Sequence, residues 1–434
     1  MRISVIGLGR LGLVHAAALA SLGHTVVGVE ANTQRVRKIL DGTHEMHEPG
    51  LVELVRTALT DGTLDVTGEP SAARGASAHF LTVGTPELAP NEGFDPSYLE
   101  NALRSLVPSL QPGDLVIGKS TVPPGTAAAL AAQLHRESPG AELAWNPEFL
   151  AEGTAVRDTL APHRLIYGVS SLEAARLLDE VYAPILDRGT QRVITDLATA
   201  ELVKLATNAF LATKISFINT IAQLAATSGA DALQTAQILG ADPRIGASHL
   251  NPGLGYGGGC LPKDTRGLAH YAQRAGAIEA AQFFTQVDTI NAAQRQHIAE
   301  WVIAQLSGHQ DSQVAILGAS FKAETDDIRE SPSIALAHAL MSAGLRVRIA
   351  DPVVTASRGE DSRLEFVRTA EEAMREADVT LVATAWPEYR RLNPAALLPM
   401  VRRPLIVDTR HCLDSEDWRN ASWDYRSMFN LSLH

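Results

Sequence analysis

Residues 2–30 constrain this chain more than any other stretch. Residues 2–6 (RISVI) read as a buried strand, and Gly7-Leu8-Gly9-Arg10-Leu11-Gly12 follows. A helix then runs through Ala20, and a second strand over 25–29 ends at Glu30. Strand, GxGxxG, helix, strand and acid in that order form the dinucleotide fingerprint in its required context. Gly7 makes the tight turn, Gly9 lets a pyrophosphate reach the backbone, and Gly12 lets the helix pack on the sheet. Leu11 shares that cofactor loop. Glu30 stands 18 residues after Gly12, near the spacing of the acid that accepts from the ribose hydroxyls. A carboxylate there repels a 2′-phosphate, which favours NAD over NADP. Arg35 is a nearby cation that answers such a phosphate.

The strand rhythm continues. A strand over 78–83 leads into Gly84-Thr85-Pro86, and one over 114–118 leads into Lys119-Ser120-Thr121. Both put small hydroxyls where strand carboxyl ends meet a cofactor crevice, a place that turn-forming threonines also occupy. A strand ending at Trp145 puts Glu148 of Asn146-Pro147-Glu148 at the same edge. Strands over 164–168 and 192–195 close this part of the chain.

From Thr199 the pattern becomes helical and alanine-rich. Glu201, Lys204 and Asn208 fall on one helical face. Their flanks are apolar nearly all round, so the helix is expected to be buried, with partners for its Lys and Asn. It is also the natural place for two subunits to pack. Five of the seven residues from Gly253 to Gly259 are glycine. That density offers no core and suits close approach to a ligand or positive φ. Cys260 follows at a helix start, with Pro262 in the first turn. The helix dipole and Lys263 favour its thiolate. Asp264 lies one turn on, so its carboxylate is expected to face the thiol.

Length and composition bound the rest. A chain of 434 residues predicts two or three domains. Its net charge of −12 argues against nucleic acid as a partner. Two cysteines make no disulfide framework and fit a reducing cytoplasm. Cys412 has no setting like that of Cys260 and reads as a packing residue. No apolar run is read as a membrane span. The N-terminal apolar stretch imitates a leader, but glycines and Arg10 interrupt it.

From Gln313 the α/β rhythm returns. A strand over 313–317, a helix over 333–343 and a strand over 345–350 ending at Asp351 echo residues 2–30. A loop with Lys322 and Arg329 replaces the glycine fingerprint. Further strands over 379–384 and 405–408 follow, the last leading to Arg410. The expected fold is therefore α/β, with two Rossmann-like doubly wound domains (1–196 and 306–434). A long central helix and a helical dimerisation region (197–305) join them.

A NAD domain implies hydride transfer, and the thiol adds a second capability. A thiolate attacks an aldehyde to give a thiohemiacetal, from which a second hydride leaves to give a thioester that water cleaves. Such a site needs a thiolate, a cation or amide for the oxyanion, and a base. Cys260, Lys204 with Asn208, and Asp264 with Glu148 are of these types. An ordinary two-electron dehydrogenase needs no such thiol. A catalytically idle sensor of NAD and another phosphate-bearing ligand would be expected to lose part of the set.

Eight ordered motifs carry a resemblance: VIGLGRLG, VGTP, STVPPG, NPEFLAEG, ELVKLATNAFLATKISFIN, DPRIG, GYGGGCLPKD and FKAETDDIRESP. Over essentially its whole length the chain resembles the UDP-glucose/GDP-mannose dehydrogenase family. That family oxidises a nucleotide-sugar 6-alcohol to a uronic acid with two NAD. The resemblance implies Cys260 as nucleophile, Lys204 and Asn208 at the oxyanion, and Asp264 at the water or base of the first oxidation. It implies Glu148 in thioester hydrolysis and Thr121 ordering the catalytic water. It puts Glu30, Arg35, Thr85, Thr121, Glu152, Lys263 and Arg329 against NAD. It puts the loop Glu148, Phe149, Leu150, Ala151 and Glu152 against the nucleotide sugar, with Lys204, Asn208 and Lys322. It adds the stretch His249, Leu250, Asn251, Pro252 and Gly253, together with Gly257. Arg244 resembles an arginine that reaches a neighbouring subunit's sugar, and Arg410 one near the uronate-forming site. The resemblance also implies a homodimer built on the long helix, and no metal. VGTP replaces the usual VPTP-type turn, and Gly259 stands where serine is common. GYGGGCLPKD is closer to the UDP-glucose branch than to the UDP-N-acetylmannosamine branch. It leaves TDP-glucose and other hexose nucleotides open as substrates.

Overall fold

The structure is a computed structural model that describes residues 1–431 apart from 45, 89–92, 309–310 and 355–362. The chain divides into two compact units, Met1–Thr207 and Asn208–His434.

The first unit is built on eight strands: β1 (Arg2–Ile6), β2 (Thr25–Val29), β3 (Leu64–Thr67), β4 (Ala78–Leu81), β5 (Leu115–Gly118), β6 (Glu142–Trp145), β7 (Arg164–Gly168) and β8 (Gln191–Thr195). Their order is β3-β2-β1-β4-β5-β6-β7-β8. The first six are parallel, β7 meets β6 antiparallel, and β8 runs parallel to β7. β4 and β5 are buried at every residue, as strands covered on both faces must be. Val5, Phe80, Leu13 and Ala17 fill one layer, and Ile6, Leu81, Leu103 and Leu130 the other. Each such Leu or Ile contributes about 1.5–3 kcal/mol by leaving water. Strand order reverses between β1 and β4, so the ligand crevice opens at their carboxyl ends.

The second unit contains a six-stranded sheet: β9 (Gln313–Leu317), β10 (Arg346–Ala350), β11 (Glu365–Val367), β12 (Val379–Val382), β13 (Leu405–Asp408) and β14 (Asp424–Ser427). Its order, β11-β10-β9-β12-β13-β14, repeats that of the first six strands, all parallel. The echo extends to single bonds. Gly7 (φ +92°) donates to the Val29 carbonyl, and Gly318 (φ +105°) donates to the Ala350 carbonyl, each at 2.7 Å. Glu30 accepts from Leu8 N–H at 2.9 Å, and Asp351 from Ala319 N–H at 2.7 Å. The lobes part company at Trp386, which is buried and donates from Nε1 to Asp351 (3.1 Å) and to Ser320 Oγ (3.2 Å). The acid that holds a cofactor loop in one lobe holds an indole in the other.

Two strands end sooner than their apolar runs, at Leu81 and Val382. Thr82 Oγ1 instead donates to the Gly7 carbonyl (2.7 Å), and Thr384 Oγ1 to the Ser320 carbonyl (2.7 Å). The helix Leu197–Ser228 runs through the division between the units. Against the expectation of no span, it is long and apolar enough to cross a membrane by length and composition, with a mean hydropathy of 1.3 over its most apolar window. Alanines and leucines on all its sides raise that value. The helices Ala232–Ala241, Leu261–Arg274 and Ile278–Leu306 fall within the second unit.

Candidate active site

In the first unit the fingerprint loop has the geometry its glycines anticipate. A Cβ on Gly12 would stand 1.8 Å from the Gly7 carbonyl oxygen, so only glycine lets the helix start there. Around Gly9 nothing of the protein lies within 4 Å of where a Cβ would be. Gly9 is also the N-cap of the helix Arg10–Ser21, which has no side-chain cap. Approachable backbone at an uncapped helix start is the cradle a pyrophosphate requires. Leu11 is half-buried in the first turn. Glu30 also accepts from Asn32 N–H (2.9 Å) and Arg35 Nη1 (3.0 Å). With Leu8 this fills three of about four acceptor positions, which leaves one for a ribose hydroxyl. Arg35 is thus paired with the acid rather than set against it.

The loops after β4, β5 and β6 reach the same edge. Thr85 Oγ1 donates to the Thr121 carbonyl (2.8 Å), and Ser120 Oγ to the Val83 carbonyl (2.6 Å), which ties two loops together. Glu148 pairs with Lys204 Nζ at 3.1 Å through one oxygen and accepts Leu150 N–H at 2.8 Å through the other. Lys204 is buried, with its ammonium 5.4 Å from the centre of the Phe149 ring. Glu152 lies 3.5 Å from Arg10 of the fingerprint, and Ala151 beside it is exposed.

The polar face of the long helix is buried, as expected, and each member has its own partner. Glu201 accepts from the N–H groups of Gly125 (2.8 Å) and Ala127 (2.5 Å). It caps the helix Thr126–Glu137, and burial pushes its carboxyl up to about 7. Lys204 takes Glu148. Asn208, in the second unit, donates from Nδ2 to Asp264 at 2.6 Å.

Around that contact the second unit holds the candidate nucleophile. Cys260 is exposed, is in no disulfide, and is the N-cap of the helix Leu261–Arg274. The fully buried Asp264 carboxylate is held by Asn208 on one oxygen and by Lys263 Nζ (2.7 Å) on the other. The glycine loop before it corrects an expectation, for it is buried and contributes Leu254 and Tyr256 to the interior. Neighbouring protein makes the close approach. A Cβ on Gly257 would stand 2.2 Å from the Glu330 carbonyl oxygen, and one on Gly258 2.9 Å from the Phe321 ring. On Gly259 it would stand 2.5 Å from the guanidinium carbon of Arg329, so the serine of the familiar pattern would displace that side chain. Arg329 is itself paired with Asp327, Nη2 to Oδ2 at 2.6 Å.

The remaining predicted residues are spread over the second unit. Arg410 donates from Nε to the Ala383 carbonyl (2.8 Å) and from Nη1 to the Gly255 carbonyl (3.2 Å), joining the sheet's carboxyl edge to the glycine loop. Gly253 N–H donates to Asn219 Oδ1 at 2.8 Å. His249 is exposed at φ +62°, Leu250 and Pro252 are buried, and Asn251 is exposed. Lys322 Nζ lies 5.8 Å from the Phe321 ring centre. Arg244 is exposed and paired with Asp242.

Three successive family models match, all of one family: its NAD binding domain over residues 1–186, its central domain over 198–293 and its UDP binding domain over 315–415. The chain belongs to the UDP-glucose/GDP-mannose dehydrogenase family. Among curated relatives, the UDP-glucose 6-dehydrogenase of Rhizobium meliloti is 36% identical, with 99% of each chain covered. The UDP-glucose 6-dehydrogenase TuaD of Bacillus subtilis is 33% identical over 98% of this chain and 93% of that one. Among solved structures, a UDP-glucose dehydrogenase from Pyrobaculum islandicum superposes with a TM-score of 0.89 at 34% identity, covering 98% and 97% of the two chains. A UDP-D-ManNAc dehydrogenase from Pyrococcus horikoshii gives 0.86 at 28% identity, covering 99% of each. This member of the family is an NAD-dependent nucleotide-sugar dehydrogenase.

Several supporting residues of this dehydrogenase escaped sequence reasoning. Glu48 is buried and accepts from Gly153 N–H and Ala155 N–H, both at 2.7 Å, which fixes the end of the 146–153 loop. Asn291 accepts from Tyr256 N–H (2.8 Å) and donates to its carbonyl (3.0 Å), holding the glycine loop as a strand neighbour would. Lys119 and Asn146 are buried and bonded to each other, Nζ to Oδ1 at 2.9 Å. A lysine and an asparagine directly after the apolar ends of β5 and β6 were the available signal. Glu48 and Asn291 gave none, because their partners lie far off in sequence.

Proposed function

We propose that the enzyme oxidises the 6-hydroxyl of UDP-glucose to the carboxylate in two NAD-dependent steps, with Cys260 carrying the sugar between them. The balance is R–CH2OH + 2 NAD+ + H2O → R–COO− + 2 NADH + 3 H+. The alcohol first loses a hydride and a proton to become an aldehyde. Cys260 Sγ then bonds to C6, giving a thiohemiacetal. That adduct loses the second hydride and becomes a thioester, and water breaks the C–S bond to release the acid and the thiol. Bound NAD supplies the hydride acceptor in each oxidation. Lys204 and Asn208 stabilise the negative oxygen, Glu148 serves hydrolysis, and Asp264 serves the proton of the first step. The observation that carries this reading is an exposed thiol at a helix N-terminus, with a buried Asp264 in the following turn held by the half-buried Lys263 and by the buried Asn208 of the adjoining helix. The relatives that act on UDP-glucose support the choice of sugar.

A panel of UDP-glucose, TDP-glucose, GDP-mannose and UDP-N-acetylmannosamine tests this, with NADH counted per sugar. UDP-glucose is expected to turn over fastest, with two NADH and a uronate formed. One NADH with free aldehyde would remove the thiol from the chemistry. Preference for UDP-N-acetylmannosamine would move the enzyme to the branch of the Pyrococcus relative.

The enzyme is further proposed to be a cytoplasmic homodimer of three-domain chains, divided at 196 and 305. Phe210 (63% exposed), Phe217 (50%) and Leu224 (58%) recur at seven-residue spacing on the long helix. A stripe of that size left in water favours a second copy. Sedimentation should give a dimer, and Phe217→Glu should shift it to monomer. A wild-type monomer at micromolar concentration would refute the pairing.

A further inference from the structure

Beneath the 146–153 loop lies a buried polar cluster to which no role has been given. Lys119, the residue after β5, is buried and has three neutral acceptors around its Nζ. These are Asn146 Oδ1 at 2.9 Å, the Asn146 carbonyl at 3.3 Å and the Tyr182 hydroxyl at 3.4 Å. Asn146 is engaged at every polar atom. Its N–H donates to the Gly118 carbonyl (2.8 Å), its Nδ2 to the Ile166 carbonyl (2.9 Å), and its Oδ1 also accepts from the Tyr182 hydroxyl (2.7 Å). Two residues later the same turn delivers Glu148 to Lys204.

We propose that Lys119 is a positioning residue: its amine fixes the Asn146 turn that carries Glu148 to Lys204, and its proton load sets how firmly that pair is held. The proposal rests on the catalytic reading of Glu148 and Lys204 given above. Structure alone motivates the first half. A lysine with three neutral acceptors and, among the described residues, no carboxylate in hydrogen-bonding reach is costly to bury charged. Burial brings its ammonium down to about 7, a descent that the Glu148 charge opposes and the Lys204 charge assists. The other groups facing it are Tyr182, whose phenol burial holds protonated, and His15. His15 is kept neutral by burial and by the Lys119 charge, with its ring edge-on to Phe80 at 4.6 Å. Charging Lys119 places a second cation near Glu148, which draws the carboxylate from Lys204 and repels Lys204 itself. The neutral amine leaves that pair intact.

Lys119→Met keeps the length of the side chain and removes its donors. We expect kcat on the nucleotide sugar to fall about 10- to 100-fold, with KM and NAD affinity within about threefold. Wild-type kcat should decline as pH falls through about 7, and that limb should vanish in the variant. Retained kcat in folded Lys119→Met overturns the proposal. So does a limb that survives in it, which would belong elsewhere, for example to Glu201, whose carboxyl burial also brings to about 7. If Lys119→Met fails to fold, Tyr182→Phe removes one acceptor of the ammonium and should move the limb to lower pH; an unmoved limb refutes the role.

Unfolding separates this outcome from failure of the catalytic reading. The folded pKa of Lys119 lies below its unfolded value, so the unfolded chain binds more protons between about 7 and 10.5. Wild-type stability should therefore rise with pH from 7 to 9 relative to Lys119→Met, whether or not any sugar is turned over. A difference independent of pH would sink the buried-amine half, and an enzyme inactive on every sugar would sink only the reading on which the other half rests.

Discussion

Cys260→Ser is expected to abolish uronate formation by at least about 10³-fold, an increase of about 4 kcal/mol in the barrier, while NAD binds within about twofold of wild type. A serine hydroxyl at the same N-cap is a far weaker nucleophile at neutral pH than a thiol. Any ester it does form hydrolyses more slowly than a thioester. The expected product is therefore aldehyde, or a stalled acyl-enzyme that mass spectrometry finds on residue 260. Undiminished acid production would remove Cys260 from the mechanism. Because the side chain is exposed, thermal stability should hardly change. That separates a chemical loss from a folding loss.

Lys204→Ala has the second largest expected effect. The ammonium is buried, 3.1 Å from Glu148. In that setting a cation stabilises developing negative charge far more than in water, so kcat should fall about 10²–10³-fold. KM for the nucleotide sugar should rise much less, since the gain is made mainly in the transition state. The reverse pattern, a large KM with kcat preserved, would recast Lys204 as a ground-state binding residue. Among the described residues, the variant also leaves Glu148 with the Leu150 N–H alone. Breaking a buried pair costs about 3–5 kcal/mol, so a lower unfolding midpoint is expected as well. Adding Glu148→Gln should restore much of that stability and none of the activity.

The two predictions draw on different kinds of legibility. Cys260 stands out in sequence because glycines, a proline and charged neighbours surround it within one helical turn. The same holds for Gly7, Gly9 and Gly12, whose spacing records a turn, an approach and a packing contact that are all local. The helix face of Glu201, Lys204 and Asn208 was legible as a buried polar stripe, but its partners were not. They are a helix cap at 125–127, a carboxylate at 148 and a carboxylate at 264. The glycine loop was legible as a place of close approach, and the approaching groups turned out to be Glu330, Phe321 and Arg329.

By itself the sequence determined two doubly wound sheets, the cofactor loop on the first, and a thiol at a helix start. Each is written in short-range periodicity, spacing and backbone freedom, which neighbouring residues suffice to specify. Tertiary structure alone decided that Trp386 would donate to Asp351, the acid that follows β10 as Glu30 follows β2. It alone decided that Lys119 would lie buried among neutral acceptors and that Asp264 would be shared between Asn208 and Lys263. Those outcomes depend on which side chains a sheet order brings together across many tens of residues, and burial then fixes their partners because an unpaired polar group in the interior is too costly to keep.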